Sequence, residues 1–232
     1  MSESNIEVVL VHGAWADGSS WNPVIAGLRH QGVRAIAAPL PLTSLPEDVA
    51  ALDRTLERME GPVVVVAHAY AGAVIASTTD AKVAALVYVA ALAPDEGETV
   101  ADVFYRADPH PLAPQLSPDR HGLIWLPDGA HARAFAQNAS TQEQEQLAAT
   151  QRPLAAASIG FAVGRPAWKD RPSWYLVAEE DRMIPAPTQR FMAERMKAQV
   201  RTAAVDHLPM LTAPRVVVDT VVEAVRQVRS SR

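Results

Sequence analysis

The sequence contains no cysteine, which excludes disulfide bonds, cysteine nucleophiles and thiolate metal sites and fits a reducing compartment. It has no excess of positive charge either. Its 21 lysines and arginines face 26 aspartates and glutamates, for a net charge of −5. A nucleic-acid partner is not expected, because displacing counterions from phosphates requires a basic face. Long hydrophobic runs are missing as well. The run Val8–Val11 is broken at once by His12 and Gly13, whereas a membrane span needs about 20 apolar residues and a signal peptide needs a basic start. Met1–Asn5 is acidic and polar, so no membrane partner is expected and the reading is cytoplasmic. The glycines form no dinucleotide fingerprint or phosphate loop, and the histidines have no metal-ligand spacing, so no cofactor or metal is expected.

What is present is an ordinary globular composition: 232 residues, 49% hydrophobic and 20% charged. That length supports one sizeable core, read as a single domain over residues 1–232. Apolar runs at Ile6–Val11, Val33–Ala38, Val63–Ala67, Val83–Ala90, Trp174–Ala178 and Val200–Val205 read as strands. Several are apolar at consecutive positions, as parallel strands covered on both faces must be. Helical stretches alternate with them: Trp21–Gln31, Pro46–Met59, Tyr70–Thr78, Thr188–Met196 and Arg215–Arg229. This alternation predicts an α/β fold, a mostly parallel, doubly wound sheet of about six strands. From about Pro94 to Arg171 the rhythm breaks, with no clear strand and much Pro, Ala and Gln. So long a segment is expected to hold short helices rather than bare loop. Within it, Thr141–Gln151 reads as a solvated helix.

Three strand ends carry the chemistry. The first ends in His12-Gly13-Ala14-Trp15, a turn whose N–H groups can point above the carboxyl edge of the sheet, where ligands bind. The third ends in Ala67-His68-Ala69-Tyr70-Ala71-Gly72 and enters a helix at once, the geometry of a nucleophile elbow. Its apex holds Ala69, whose methyl group can attack nothing. The later strands end at Glu179-Glu180-Asp181 and at Asp206-His207. A carboxylate that fixes the tautomer of His207 would create a general base near neutral pH. Asp181 is the first choice for that acid, with Glu179, Glu180 and Asp95 as alternatives. His12 and His68 read as structural, His110, His121 and His131 as surface or pocket-lining residues, and Ser19 and Ser20 as turn or cap residues.

Val9-Leu10-Val11-His12-Gly13-Ala14-Trp15-Ala16-Asp17-Gly18-Ser19-Ser20-Trp21 resembles the oxyanion-loop motif of small bacterial α/β-hydrolases, similar also to plant methylesterases and hydroxynitrile lyases. Pro41–Ser44, the elbow, Leu86–Ala90, Ala93–Gly97, Asp181–Pro185 and the His207 segment extend the likeness over nearly the whole chain. The resemblance implies a helical cap inserted at 97–170; with only five residues before the first strand, the antiparallel hairpin that opens many larger relatives is expected to be missing. It implies Ala14 N–H and Tyr70 N–H as the oxyanion hole, His207 as base and Asp181 as its orienting acid. It further implies a small, partly apolar substrate, with Trp15, Phe104, Tyr105 and Trp125 as candidate pocket residues. The elbow departs from the family's Gly-His-Ser-Tyr-Gly-Gly at Ala67, Ala69 and Ala71, and Ala69 removes the acyl-enzyme route. Three readings stay open: an ester or lactone hydrolase or proton-abstracting lyase that works without serine, a serine hydrolase carried as a Ser→Ala variant, and a non-catalytic binding protein.

Overall fold

Consecutive valines become strands that are buried on both faces. The computed structural model describes residues 6–231; the acidic segment Met1–Asn5 lies outside them. Strands β1 (Glu7–Val11), β2 (Ala35–Ala38), β3 (Val63–His68) and β4 (Val83–Val89) are followed by two short strands, β5 (Leu123–Ile124) and β6 (Leu154–Ala155). Strands β7 (Ser173–Ala178) and β8 (Gln199–Ala203) complete a six-stranded sheet in the order β2-β1-β3-β4-β7-β8. Every pairing in that sheet is parallel. β3 and β7 are buried at all positions, whereas the edge strand β8 is mostly open to solvent. The apolar pattern accordingly locates the inner strands well and places the last one a residue or two late.

The helices are α1 (Asn22–His30), α2 (Leu45–Leu56), α3 (Ala71–Ser77), α4 (Val100–Phe104), α5 (Thr141–Thr150), α6 (Ala186–Arg195), α7 (Pro209–Thr212) and α8 (Pro214–Ser230). Ser44 starts α2 by accepting the Glu47 N–H, and Pro214 opens α8 where no N–H is needed. The α8 face formed by Val217, Val221, Val225 and Val228 is buried, each side chain contributing about 1.5–3 kcal/mol. By contrast, α5 buries none of its residues.

Residues 97–170 hold α4, α5, several single turns and the antiparallel pair β5–β6. That pair corrects the expectation of a strandless segment; strands of two residues are too short to show an alternating pattern. Several hydrogen bonds tie the segment to the sheet's carboxyl edge, three of them at the ends of the first two strands. Trp15 N–H donates to Arg152 C=O (3.0 Å), Trp15 Nε1–H to Ile124 C=O (2.9 Å), and Ala155 N–H to Leu42 C=O (2.9 Å). No helix among the described residues is long and apolar enough to cross a membrane.

Candidate active site

Each of the first four strands ends near a non-glycine residue in the left-handed region: Trp15 (φ 59°), Leu42 (63°), Ala69 (48°) and Ala90 (45°). Such a conformation costs an L-residue about 1–2 kcal/mol and collects at functional edges. Ala90, expected as the last residue of β4, turns away from the strand for this reason. At the elbow, Ala69 joins β3 to α3, and the small fully buried residues Ala67 and Ala71 flank it. Close packing explains the glycines around it. A Cβ on Gly72 would lie 2.2 Å from the Leu92 carbonyl oxygen, and one on Gly13 would lie 2.9 Å from both Ala69 Cβ and the His68 carbonyl oxygen. Leu92 N–H donates to Ala69 C=O at 2.9 Å, which pins the turn against the end of β4.

His207 and Asp181 meet above this edge. His207 Nδ1–H donates to Asp181 Oδ2 at 2.7 Å, and both side chains are almost wholly buried. The other carboxylate oxygen accepts Met183 N–H (2.7 Å) and Ile184 N–H (2.8 Å), and Gln189 Nε2–H donates to Oδ2 at 2.9 Å. With its Nδ1 committed as a donor, His207 presents Nε2 as a lone-pair base. Two of the alternative acids are paired elsewhere, Glu179 with Arg190 and Asp95 with Lys169, and it is Asp181 whose carboxylate meets His207.

His68 sits directly beneath. Its Nε2–H donates to the His207 carbonyl oxygen at 2.7 Å, and the two rings lie 4.7 Å apart. Burial, with His207 alongside, pushes its pKa well below the ordinary value, so it is neutral. His12 is likewise buried and depressed by burial; it accepts Leu40 N–H at Nε2 (3.1 Å) and donates from Nδ1 to Gly13 C=O (2.9 Å). Both histidines brace backbone. Asp17 and not a serine caps the next turn, accepting both the N–H and the hydroxyl of Ser19. Tyr70 donates its hydroxyl to Asp48 Oδ2 (2.7 Å), while Asp48 Oδ1 takes Leu42 N–H (2.7 Å). Burial raises the pKa of both groups. The backbone N–H groups of Ala14 and Tyr70 have no hydrogen-bond partner among the described residues.

Ala14, Ala69, Tyr70 and His207 line one cavity, together with Trp15, Phe104 and Tyr105. It encloses about 530 Å³, counting space open to solvent, and its remaining walls are aliphatic: Leu92, Leu154, Ile159, Met183 and Ile184 among them. Trp125 does not belong to it. Ile124 faces the cavity, so its neighbour Trp125 points outward, 45% exposed, with Nε1 on Asp119 (3.3 Å). His131 is also corrected, being buried outside the cavity against Phe135 at 5.4 Å. Among the described residues, no group of three or more His, Asp or Glu side chains is arranged to hold a metal ion.

One segment of the site carries no sequence signal. The π-helical turn His131–Phe135 and the residues after it bridge the acid and histidine loops. Arg182 donates to Arg133 C=O (2.7 Å), Gln137 to Glu180 C=O (2.8 Å), and Asn138 N–H to Asp206 Oδ2 (3.0 Å). Phe135, fully buried, covers the His207 ring at 5.4 Å and contacts Trp15 at 6.1 Å. Only the assembled fold brings these together.

The arrangement of strand ends, elbow and late histidine has a counterpart in a known family. The profile described as "Alpha/beta hydrolase family" matches residues 8–220. The chain belongs to the α/β-hydrolase family. Solved structures similar to this α/β-hydrolase include polyneuridine aldehyde esterase, with a TM-score of 0.79 and 19% identity over 95% of this chain and 99% of that one. A pyrethroid hydrolase from Sphingobium faniae has a TM-score of 0.78 and 18% identity, covering 94% and 96% of the two chains. A methylesterase from Arabidopsis has a TM-score of 0.78 and 16% identity, covering 95% and 99%. At these identities the likeness shows the fold. No curated protein matches the sequence.

Proposed function

We propose that this α/β-hydrolase cleaves small, partly apolar esters or lactones without forming a covalent intermediate. His207, held by Asp181, is the general base. Ala69 stands where the family places its nucleophile, so in this reading a water molecule beside Nε2 takes the nucleophile's part. Nε2 takes a proton from that water as its oxygen adds to the substrate carbonyl carbon. The oxyanion that forms is held by Ala14 N–H and Tyr70 N–H, and the leaving alkoxide recovers the proton from Nε2. An acid and an alcohol are released.

The observation that carries the proposal is the buried His207–Asp181 pair at 2.7 Å, opening on the same cavity as the elbow. Binding alone gives no reason to bury an imidazole and a carboxylate with every donor of the carboxylate's shell in place. The aliphatic walls favour a second reading as well. In so apolar a cavity the same base can take a proton from a substrate carbon, and the same N–H pair can hold an enolate.

The test compares a panel of short-chain aryl esters on the chain as it stands and on Ala69→Ser, with intact mass measured on samples quenched during turnover. The proposal expects turnover by the unaltered chain with no mass adduct, and an acyl adduct in Ala69→Ser. Activity confined to Ala69→Ser would identify a disabled serine hydrolase. If both folded proteins are silent, the esterase reading fails in favour of proton abstraction or binding.

A further inference from the structure

A second pocket adjoins the cavity above Ala69. Phe104, Tyr105, Leu116 and Met183 line the cavity and also line this second, wider groove, which encloses about 1260 Å³ with open space counted. The groove therefore adjoins the cavity across those four side chains. Its outer wall is the segment 107–117, which has no regular secondary structure but carries Pro109, Pro111 and Pro114. Proline fixes φ, so this wall is stiff without a ladder of hydrogen bonds. His110 stiffens it further by accepting Leu112 N–H at Nδ1 (3.0 Å), which leaves Nε2 as its donor.

The chemistry of the two compartments differs. The cavity is apolar apart from His207 and the two backbone N–H groups. The groove adds hydrogen-bonding groups, His110, Gln115 and Ser117, beside the exposed ring of Tyr105. Neither compartment has a lysine, arginine, aspartate or glutamate among its described lining residues. A charged appendage lying in the groove would find no counter-ion among these lining residues, whereas an uncharged ring can use Tyr105 and the neutral hydrogen-bonding groups.

We infer that the groove is a second subsite and that the substrate is bipartite and neutral. A compact apolar group occupies the cavity, joined through the reacting carbonyl to a larger, uncharged, ring-bearing group that lies on Tyr105 and hydrogen-bonds within the groove. Thioesters of coenzyme A and other phosphate-bearing esters gain no ion pair there and bind less tightly than a neutral ring-bearing ester in this reading. The inference rests on reading the cavity as the reaction site. Its test reads binding and not turnover, so the two can fail separately.

Three probes share one acyl group: ethyl butyrate, 4-methylumbelliferyl butyrate and butyryl-coenzyme A. Their Kd values are measured by stopped-flow tryptophan fluorescence, before turnover, on the unaltered chain, Tyr105→Ala and Gln115→Ala. Both substituted residues are exposed, and thermal unfolding confirms that the variants are folded. The unaltered chain should bind the umbelliferyl ester at least ten-fold more tightly than either other probe, and both variants should shrink its advantage over ethyl butyrate to less than three-fold. Comparable affinity for all three probes, tighter binding of the coenzyme A ester, no binding at all, or an advantage unchanged in both variants would overturn the inference. The expected pattern without turnover of any ester keeps the groove and removes the esterase reading.

Discussion

Replacing Asp181 by asparagine tests whether its carboxylate orients His207. All four of its hydrogen bonds are donated to it: Met183 and Ile184 N–H at Oδ1, Gln189 Nε2–H and His207 Nδ1–H at Oδ2. An asparagine amide can accept on one side only, so its NH₂ must face two donors whichever way it is turned. Gln189 cannot reverse to help, because its own oxygen already accepts Ala178 N–H at 2.9 Å. With the amide oxygen toward Met183 and Ile184, His207 can escape only by moving its proton to Nε2, which abolishes the base. Losing the charge-assisted bonds and leaving one buried donor opposed should cost about 3–5 kcal/mol. A domain above the bottom of the usual range of about 5–15 kcal/mol would remain mostly folded. Urea unfolding at neutral pH measures that loss, and long-range proton–nitrogen NMR reports which ring nitrogen carries the proton. Ester turnover should fall by about a hundred- to ten-thousand-fold, the contribution of the general base that the wrong tautomer removes. A loss below about 1 kcal/mol, with Nδ1 still protonated, would refute the argument.

Two further predictions concern the frame around the site. Gly72→Ala sets a Cβ 2.2 Å from a backbone oxygen and should cost about 3 kcal/mol or more in urea unfolding; a near-neutral effect would show that α3 and β4 can separate freely. Stability should also decline on mild acidification. His12 and His68 both have depressed pKa values in the folded chain, so the unfolded chain binds their protons first. Their contribution is complete above about pH 6.5 and is lost as pH falls below it, with a limiting slope of about 2.7 kcal/mol per pH unit for the two. Urea midpoints flat down to the carboxylate range would contradict this.

The sheet was legible because inner parallel strands are buried on both faces, and Val63–Val66 advertises that without help from any other part of the chain. Ends were less legible where they depend on tertiary geometry. Ala90 leaves β4 through a left-handed turn, and the edge strand β8 runs from Gln199 to Ala203 with little burial to mark it. The glycines and alanines of the elbow could be read because a sharp strand-to-helix turn tolerates nothing larger. Choosing among Glu179, Glu180, Asp181 and Asp95 needed the fold, since four carboxylates near strand ends look alike until their partners are seen. Trp125 was misplaced because a two-residue strand gives no phase by which to tell its inner from its outer face. Phe135, Gln137 and Asn138 carry no local signal at all; their contacts to the acid and histidine loops span more than 40 residues of sequence.

The central question is whether His207 does chemistry in a chain that has Ala69 at its elbow. The most direct measurement is kcat/KM for the best aryl ester of the panel, on the unaltered chain and on His207→Gln, with folding checked by thermal unfolding. General-base catalysis predicts measurable turnover in the first and a loss of about a hundred- to ten-thousand-fold in the second. Equal rates in the two proteins would contradict it.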